Sequence, residues 1–373
     1  MQVFKAPFEF CLHNIKQQKG DFMANANSFL IAANDEHGQN PPTVGKRTPT
    51  MPYINQSFYE NEFNRPAKYY FLIACLRTGY NVFDVKPELQ DISISTRVTR
   101  TNRRRPTCVV TYAYNAIGNG TTFNNTFGQQ VFYGAESRYL SQSRLLAYDV
   151  TAGLNQATDR RNLGIGRLSN VGMLSSVNCP AVLAECGFMT NFEEAKLMID
   201  PDFQKQCGNG GCIGISNEFE VDYTPEISYT QLPTLRRGNR GKQVQFLQCY
   251  LNLYGNTLDV DGVFGANTQN AVQKFQQQNN LLVDGIVGRN SWWTLLMQRP
   301  LPLLKRGSTG VYVRYAQQKL ISKLYLADDV DGIFGPNTQQ ATREFQQENN
   351  LAPDGIIGPL TWAKLSVIGG GRT

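Results

Sequence analysis

The chain has 373 residues, 41% of them hydrophobic, and a net charge of +6. That is ordinary globular composition over a length that holds two or three domains, which excludes a disordered or fibrous chain. A pI near 8.8 suits an anionic partner but is too mild for a nucleic-acid binder, and no run is long and apolar enough to span a membrane.

Residues 1–26 have no clear pattern and read as an extension or a docking arm. Met1 to Asn27 lack the continuous apolar core of a secretory signal. The expectation is a protein made in the cytoplasm that reaches any outside target by another route. The eight cysteines show no metal-type spacing and are expected as thiols. Cys207 and Cys212, with three glycines between them, could close a small loop.

A strand is predicted over 28–33, followed by Asn34-Asp35-Glu36-His37-Gly38. A histidine just past a strand end, beside glycine, is well placed for a metal, although a lone histidine is more often structural. A Pro/Thr-rich loop over 41–56 leads to a helix over 61–77. Its apolar face is Phe63, Ala67, Tyr70, Phe71, Ala74 and Cys75, and Gly79 is the stop. Strands are predicted over 81–85, 107–112 and 127–133, with the Arg103-Arg104-Arg105 cluster as a solvated loop. A helix over 137–156 places Leu146, Val150 and Leu154 on one face, with Gly153 weakening its last turn.

Pro180 then opens a short apolar run, Ala181 to Ala184, read as a buried strand that ends at Glu185 and is broken by Gly187. Asn191, Glu193 and Glu194 open a helix. Ligands of open α/β sheets bind beyond the carboxyl ends of strands, so Glu185 is a candidate acid/base. Taken alone, an ordinary glutamate before a helix is the plainer reading. The alternation of strands and helices implies an α/β fold, with a mainly parallel twisted sheet flanked by helices on both faces.

Past a polar stretch over 218–231 the chain repeats itself. Asp261-Gly-Val-Phe-Gly265 returns as Asp331-Gly-Ile-Phe-Gly335, Phe275-Gln-Gln as Phe345-Gln-Gln, Asp284-Gly-Ile-Val-Gly288 as Asp354-Gly-Ile-Ile-Gly358, and Trp292 as Trp362. Val244, Leu247 and Leu251 mark one helix; Ala271 and Phe275 mark another, behind an Asn267-Thr268 cap. Each copy reads as a small all-α module of three short helices, with Phe264, Phe275 and Trp292 as core.

These motifs, in this order, resemble the zinc-dependent N-acetylmuramoyl-L-alanine amidases followed by two peptidoglycan-binding repeats. The resemblance implies metal ligands at His37 and at Glu60, which has Asn64 four residues on. It also matches Arg97 and Asn102, and implies a catalytic glutamate at Glu185 within Pro180 to Asn191. It implies Zn2+ as cofactor and peptidoglycan as partner. The expected reaction is cleavage of the amide between N-acetylmuramic acid and the L-alanine of the stem peptide. The implied division is an extension (1–26), a catalytic domain (27–217), a linker (218–231) and repeats over 232–298 and 301–366.

One position departs from the pattern. The central motif reads Thr111-Tyr112-Ala113-Tyr114-Asn115-Ala116, so the family's second metal-binding histidine falls on Ala113. The chain holds only His13 and His37. Three explanations stand: an inactivating substitution, a natural degenerate amidase that binds wall without cutting it, or completion of the site by another group such as His13. The first two, loss of one ligand, are preferred, and His13 reads as a surface residue. The functional expectation is a wall amidase of a phage or phage-tail-like particle, with residues 1–26 as the particle contact. The rival is a non-catalytic wall-binding or structural protein. A glycosidase built on paired carboxylates is a distant third.

Overall fold

The computed structural model describes residues 24–38, 46–51, 57–279, 281–297, 301, 303–309, 311–326 and 330–365. His13 and nearly all of the 1–26 extension lie outside these residues, as does most of the 41–56 loop.

The first half is built on a six-stranded sheet. Its strands are β1 (Leu30–Asp35), β2 (Asn81–Asp84), β3 (Cys108–Asn115), β4 (Gln129–Gly134), β5 (Asn162–Leu168) and β6 (Ala181–Phe188), in the order β2-β1-β3-β6-β4-β5. β2, β1, β3 and β6 run parallel; β4 pairs antiparallel with β6 and parallel with β5. The sheet is therefore mixed, with the expected parallel part at the centre.

The helices of this half are α1 (Asn61–Thr78), α2 (Ile94–Arg104), α3 (Leu140–Thr158), α4 (Gly172–Ser175), α5 (Phe192–Leu197) and α6 (Pro201–Phe219). One face of the sheet, with Ile31, Ala33, Val110, Tyr112, Val182 and Ala184, buries against α1, α3 and α6. The other, with Ala32, Val109, Ala113, Ala181 and Leu183, carries the thinner layer that includes Met173 and Leu174 of α4. Parallel strands buried on both faces explain why β3 and β6 read as near-continuous apolar runs.

Several expectations change. β6 does not end at Glu185, and Gly187 does not break it. The ladder pairs Ala113 with Glu185 and Asn115 with Phe188, across a register shift. Pairing to β3 outweighs the glycine's weak strand preference. A side chain at 187 would meet the Tyr114 ring, its Cβ only 2.4 Å from the hydroxyl oxygen. Arg103 and Arg104 are in the last turn of α2 rather than a loop, and Arg104 lies 5.2 Å over the Phe83 ring.

Cys207 and Cys212 close no loop. Both are buried thiols on α6, five positions apart, and so point different ways around the helix. The glycines near them let α6 lie against α3: a Cβ at Gly153 would sit 2.2 Å from the Gly210 carbonyl oxygen, and one at Gly214 2.4 Å from Val150 Cα. Gly153 thus costs helix propensity and permits the close helix contact. β5 and α6 carried no sequence expectation.

After α6, Arg77 donates to the Thr224 carbonyl (2.6 Å) and the Tyr223 hydroxyl (2.8 Å), which fastens the following segment to the first domain. Two three-helix units follow, α7 (Lys242–Leu253), α8 (Ala266–Gln278) and α9 (Arg289–Met297), then α10 (Val311–Ser322), α11 (Pro336–Glu348) and α12 (Pro359–Leu365). The N-cap of α8 is Gly265, not Asn267 or Thr268.

The repeated sequence signatures are structural. Gln248 donates to Asp261 Oδ1 (2.8 Å) and the Val263 carbonyl (3.2 Å), and accepts from Gly262 N (2.9 Å). Gln276 clamps Asp284, Gly285 and Ile286 in the same way, Gln317 clamps Asp331 to Ile333, and Gln346 clamps Asp354 to Ile356. Each Asp-Gly turn is held by one buried glutamine, and each repeat uses the device twice. The first repeat packs on α1: Asn252 Nδ2 donates to the Tyr69 hydroxyl at 3.0 Å, and Arg65 Nη2 to the Asn256 carbonyl at 3.2 Å.

Replacing Gln346 with alanine leaves the amide of Gly355 without its acceptor in a buried turn. An unsatisfied buried group costs about 1–3 kcal/mol. Urea unfolding of the full chain followed by Trp362 fluorescence, with the other two tryptophans changed to phenylalanine, is expected to show a lower midpoint for the second repeat.

Candidate metal centre

β1 ends at Asp35, and the next two residues carry donor groups. His37 has φ 58, in the left-handed region where a non-glycine residue is uncommon. The chain there is held from α1. Asn61 Nδ2 donates to Asp35 Oδ2 and to the His37 carbonyl, each at 3.0 Å. Asn64 Nδ2 donates to the Glu36 carbonyl (3.0 Å) and to Glu60 Oε1 (2.9 Å). One turn of helix thus ties the strand end to the carboxylate that precedes the helix.

Glu60 is 1% exposed, and its Oε1 also accepts from the Tyr114 amide at 3.0 Å. Its Oε2 is buried without a hydrogen-bond partner and faces His37 Nε2 at 3.6 Å. Glu36 Oε2 is 3.8 Å from the same nitrogen. The ligand atoms of Glu36, His37 and Glu60 all lie within 4.8 Å of one another. His37 and Glu60, both expected as ligands, therefore meet.

Glu36 was missed by sequence reasoning. The signal available was its place beside His37, which does not distinguish it from a surface glutamate. Ala113 lies in β3, 1% exposed, as the strand partner of Glu185. It supplies no donor. His13, the remaining histidine, is outside the described residues.

Glu185 is on the same strand face as Ala113, and its Oε2 is a second buried oxygen without a hydrogen-bond partner. Burial, then the nearby charges of Glu60 and Glu36, push its carboxyl well above the usual range. Burial also raises Glu60, against the hydrogen bonds from Asn64 and Tyr114, and raises Glu36, with Glu60 adding to the effect. Burial pushes the His37 imidazole down, toward the neutral form a metal ligand needs, while Glu36 pulls the other way. The unpartnered buried oxygen of Glu60, the His37 imidazole and the Glu36 carboxylate, with donor atoms within 4.8 Å of one another, fit a divalent cation.

Behind the donors lies a buried ion cluster. Lys68 Nζ contacts Asp35 Oδ1 at 2.7 Å and Asp84 Oδ1 at 2.8 Å, and Lys86 Nζ contacts Asp35 Oδ2 at 3.0 Å. Burial alone would raise the Asp35 carboxyl, yet Lys68, Lys86 and Arg65 together hold it well below the usual range. Arg97, 1% exposed, bonds to Asn34, Asp91 and the Asp35 carbonyl. Asn102 instead links α2 to the 176–178 segment. Of that matched pair, Arg97 supports the site and Asn102 does not reach it.

Residues 37–217 match the family described as N-acetylmuramoyl-L-alanine amidase. This domain belongs to that family. Residues 240–295 and 309–365 each match a putative peptidoglycan binding domain. Among relatives, a probable N-acetylmuramoyl-L-alanine amidase of Bacillus licheniformis is 30% identical over 170 residues, covering 38% of this chain and 47% of that protein. The amidase CwlM of Mycobacterium tuberculosis is 36% identical over 115 residues, covering 28% of this chain and 27% of that protein. The chain spans about half the length or less of these relatives. A crystal structure of N-acetylmuramoyl-L-alanine amidase from Clostridium difficile 630 aligns with 24% identity and a TM-score of 0.43, over 52% of this chain and 97% of that one. The matched residues take in the strands and helices from α1 to α12, apart from the last residues of α6 and α9.

Lys68 sits at the hinge of the amidase domain's ion cluster. Its replacement by methionine leaves Asp35 and Asp84 buried with too little positive charge, a change that costs about 3–5 kcal/mol. Chemical unfolding is expected to show that loss, with a smaller one in the Asp84→Asn/Lys68→Met double variant.

Proposed function

We propose that the protein is a peptidoglycan amidase that hydrolyses the amide between N-acetylmuramic acid and the L-alanine of the stem peptide. The observation that carries this is the convergence of Glu36, His37 and Glu60 beside Glu185, inside a domain of the amidase family. The cation that suits the reading is Zn2+. Bound there, it would supply Lewis acidity to the scissile carbonyl and lower the pKa of a water.

The residues of the chain do the rest. Glu60 and His37 hold the cation, with Asn64 and the Tyr114 amide fixing the Glu60 carboxylate. Glu185 takes the proton of the attacking water and delivers it to the departing amine. Burial and the neighbouring carboxylates raise its pKa, which favours holding that proton between the two transfers. The two peptidoglycan-binding repeats would keep the domain on a polymeric substrate, since linked weak sites gain by effective concentration.

A second reading, a wall-binding protein without catalysis, is favoured by one observation: Ala113 fills a place beside Glu185 where a further donor would stand.

Purified peptidoglycan digested with Zn2+ present separates the two. New L-alanine amino termini, released by the unaltered chain and reduced about 10²–10⁴-fold in Glu185→Gln, are the expected result. Wall binding without release, with release appearing in Ala113→His, would establish the second reading for this chain.

A further inference from the structure

We propose that Glu36 is the third protein ligand of the metal centre, so that one imidazole and two carboxylates hold the cation. This deepens the metal-hydrolase reading above and rests on it.

The first argument is spacing. Ligand atoms about 2.0–2.2 Å from a tetrahedral ion lie roughly 3.3–3.6 Å from one another. His37 Nε2 is 3.6 Å from Glu60 Oε2 and 3.8 Å from Glu36 Oε2. Small side-chain rotations bring all three to bonding range. The second argument is the backbone. Glu36 and His37 lie past the end of β1, where the alternation of strand side chains gives way to a bend, and with His37 in the left-handed region both reach Glu60. Strained conformations of this kind persist where the surroundings over-determine them. Here both neighbours of that kink are pinned: the Glu36 amide donates to the Tyr112 carbonyl at 3.1 Å, its carbonyl accepts from Asn64, and the His37 carbonyl accepts from Asn61.

The third argument is the set of atoms left over. Glu60 Oε2 is buried, has no hydrogen-bond partner and lies 3.6 Å from His37 Nε2, the nitrogen that Glu36 Oε2 also approaches. Two carboxylates brought this close in a partly buried site must either take up a proton or share a cation, and a cation also engages the imidazole between them. Two carboxylates and a neutral imidazole sum to −2, which balances a divalent ion. Ala113 contributes nothing to that balance.

The consequence is a change of preference. Replacing nitrogen donors by oxygen makes a site harder, and harder sites discriminate less against Mn2+. The unaltered chain is expected to favour Zn2+ over Mn2+ by a smaller factor than its Ala113→His variant.

The test is metal binding, read without activity. The full chain, stripped of metal, is dialysed against buffered Zn2+, and bound metal is counted by elemental analysis. Co2+ is then added and its visible spectrum recorded. The unaltered chain and a control changed at exposed Glu193 (Glu193→Gln) are expected to hold one Zn2+. Glu36→Gln is expected to bind at least about tenfold more weakly, with a changed Co2+ spectrum. Glu36→His restores tight binding, which guards against loss of fold in Glu36→Gln. Unchanged affinity and spectrum in Glu36→Gln would remove Glu36 from the site while leaving the metal reading intact. An unaltered chain that binds no Zn2+ or Co2+ would overturn the metal reading and this assignment with it.

Discussion

The salt-bridged carboxylate of Asp35 is the constraint on which the site depends. It lies with no solvent exposure at the carboxyl end of β1, between two buried ammonium groups. Three cations, Lys68, Lys86 and Arg97, face three carboxylates, Asp35, Asp84 and Asp91. Buried ion pairs contribute little net stability, because desolvation offsets their attraction. Their effect is directional. The cluster ties β1, β2, α1 and the start of α2 into one arrangement, and a misplaced element would leave a charge buried without its partner.

The donors inherit their positions from that arrangement. Asn61 bonds at once to Asp35 and to the His37 carbonyl, so the cluster and the strained histidine share a side chain. Asn64, one turn on, does the same for Glu36 and Glu60. The donor cluster is thus built from the loop after β1 and the residue that caps α1, while Glu185 arrives separately on β6. That separation lets Glu185 lie beside the donor cluster with partners of its own.

The repeats are organised by a different rule. Their shared Asp-Gly and Phe-Gln signatures serve the glutamine clamps and the small cores around Trp292 and Trp362, which are 1% and 0% exposed. The conspicuous residues of the repeats are therefore spent on the fold. The first repeat is fastened to α1 through Tyr69 and Arg65, on the helix whose first turn carries the site.

Periodicity and internal repetition were enough to place α1, the central strands and both repeats, whereas His37, Glu60 and Glu185 became candidates through the resemblance to the amidases, and the structure brings His37 and Glu60 together. The signals for the elements are local: an apolar face or a turn pair. Strand limits were less legible, because β6 continues past Gly187 only through pairing with β3, which is distant in sequence. α6 was hidden for a related reason. Its glycines look like breakers, and only the approach of α3 shows why they are tolerated. The sequence by itself determined the domain types, the likeness to the amidases, and the absence of a histidine at 113. Only the tertiary structure decided that Glu36 turns toward Glu60. That outcome depends on a left-handed residue held by two asparagines from another element, and no pattern along the chain records a contact made across it.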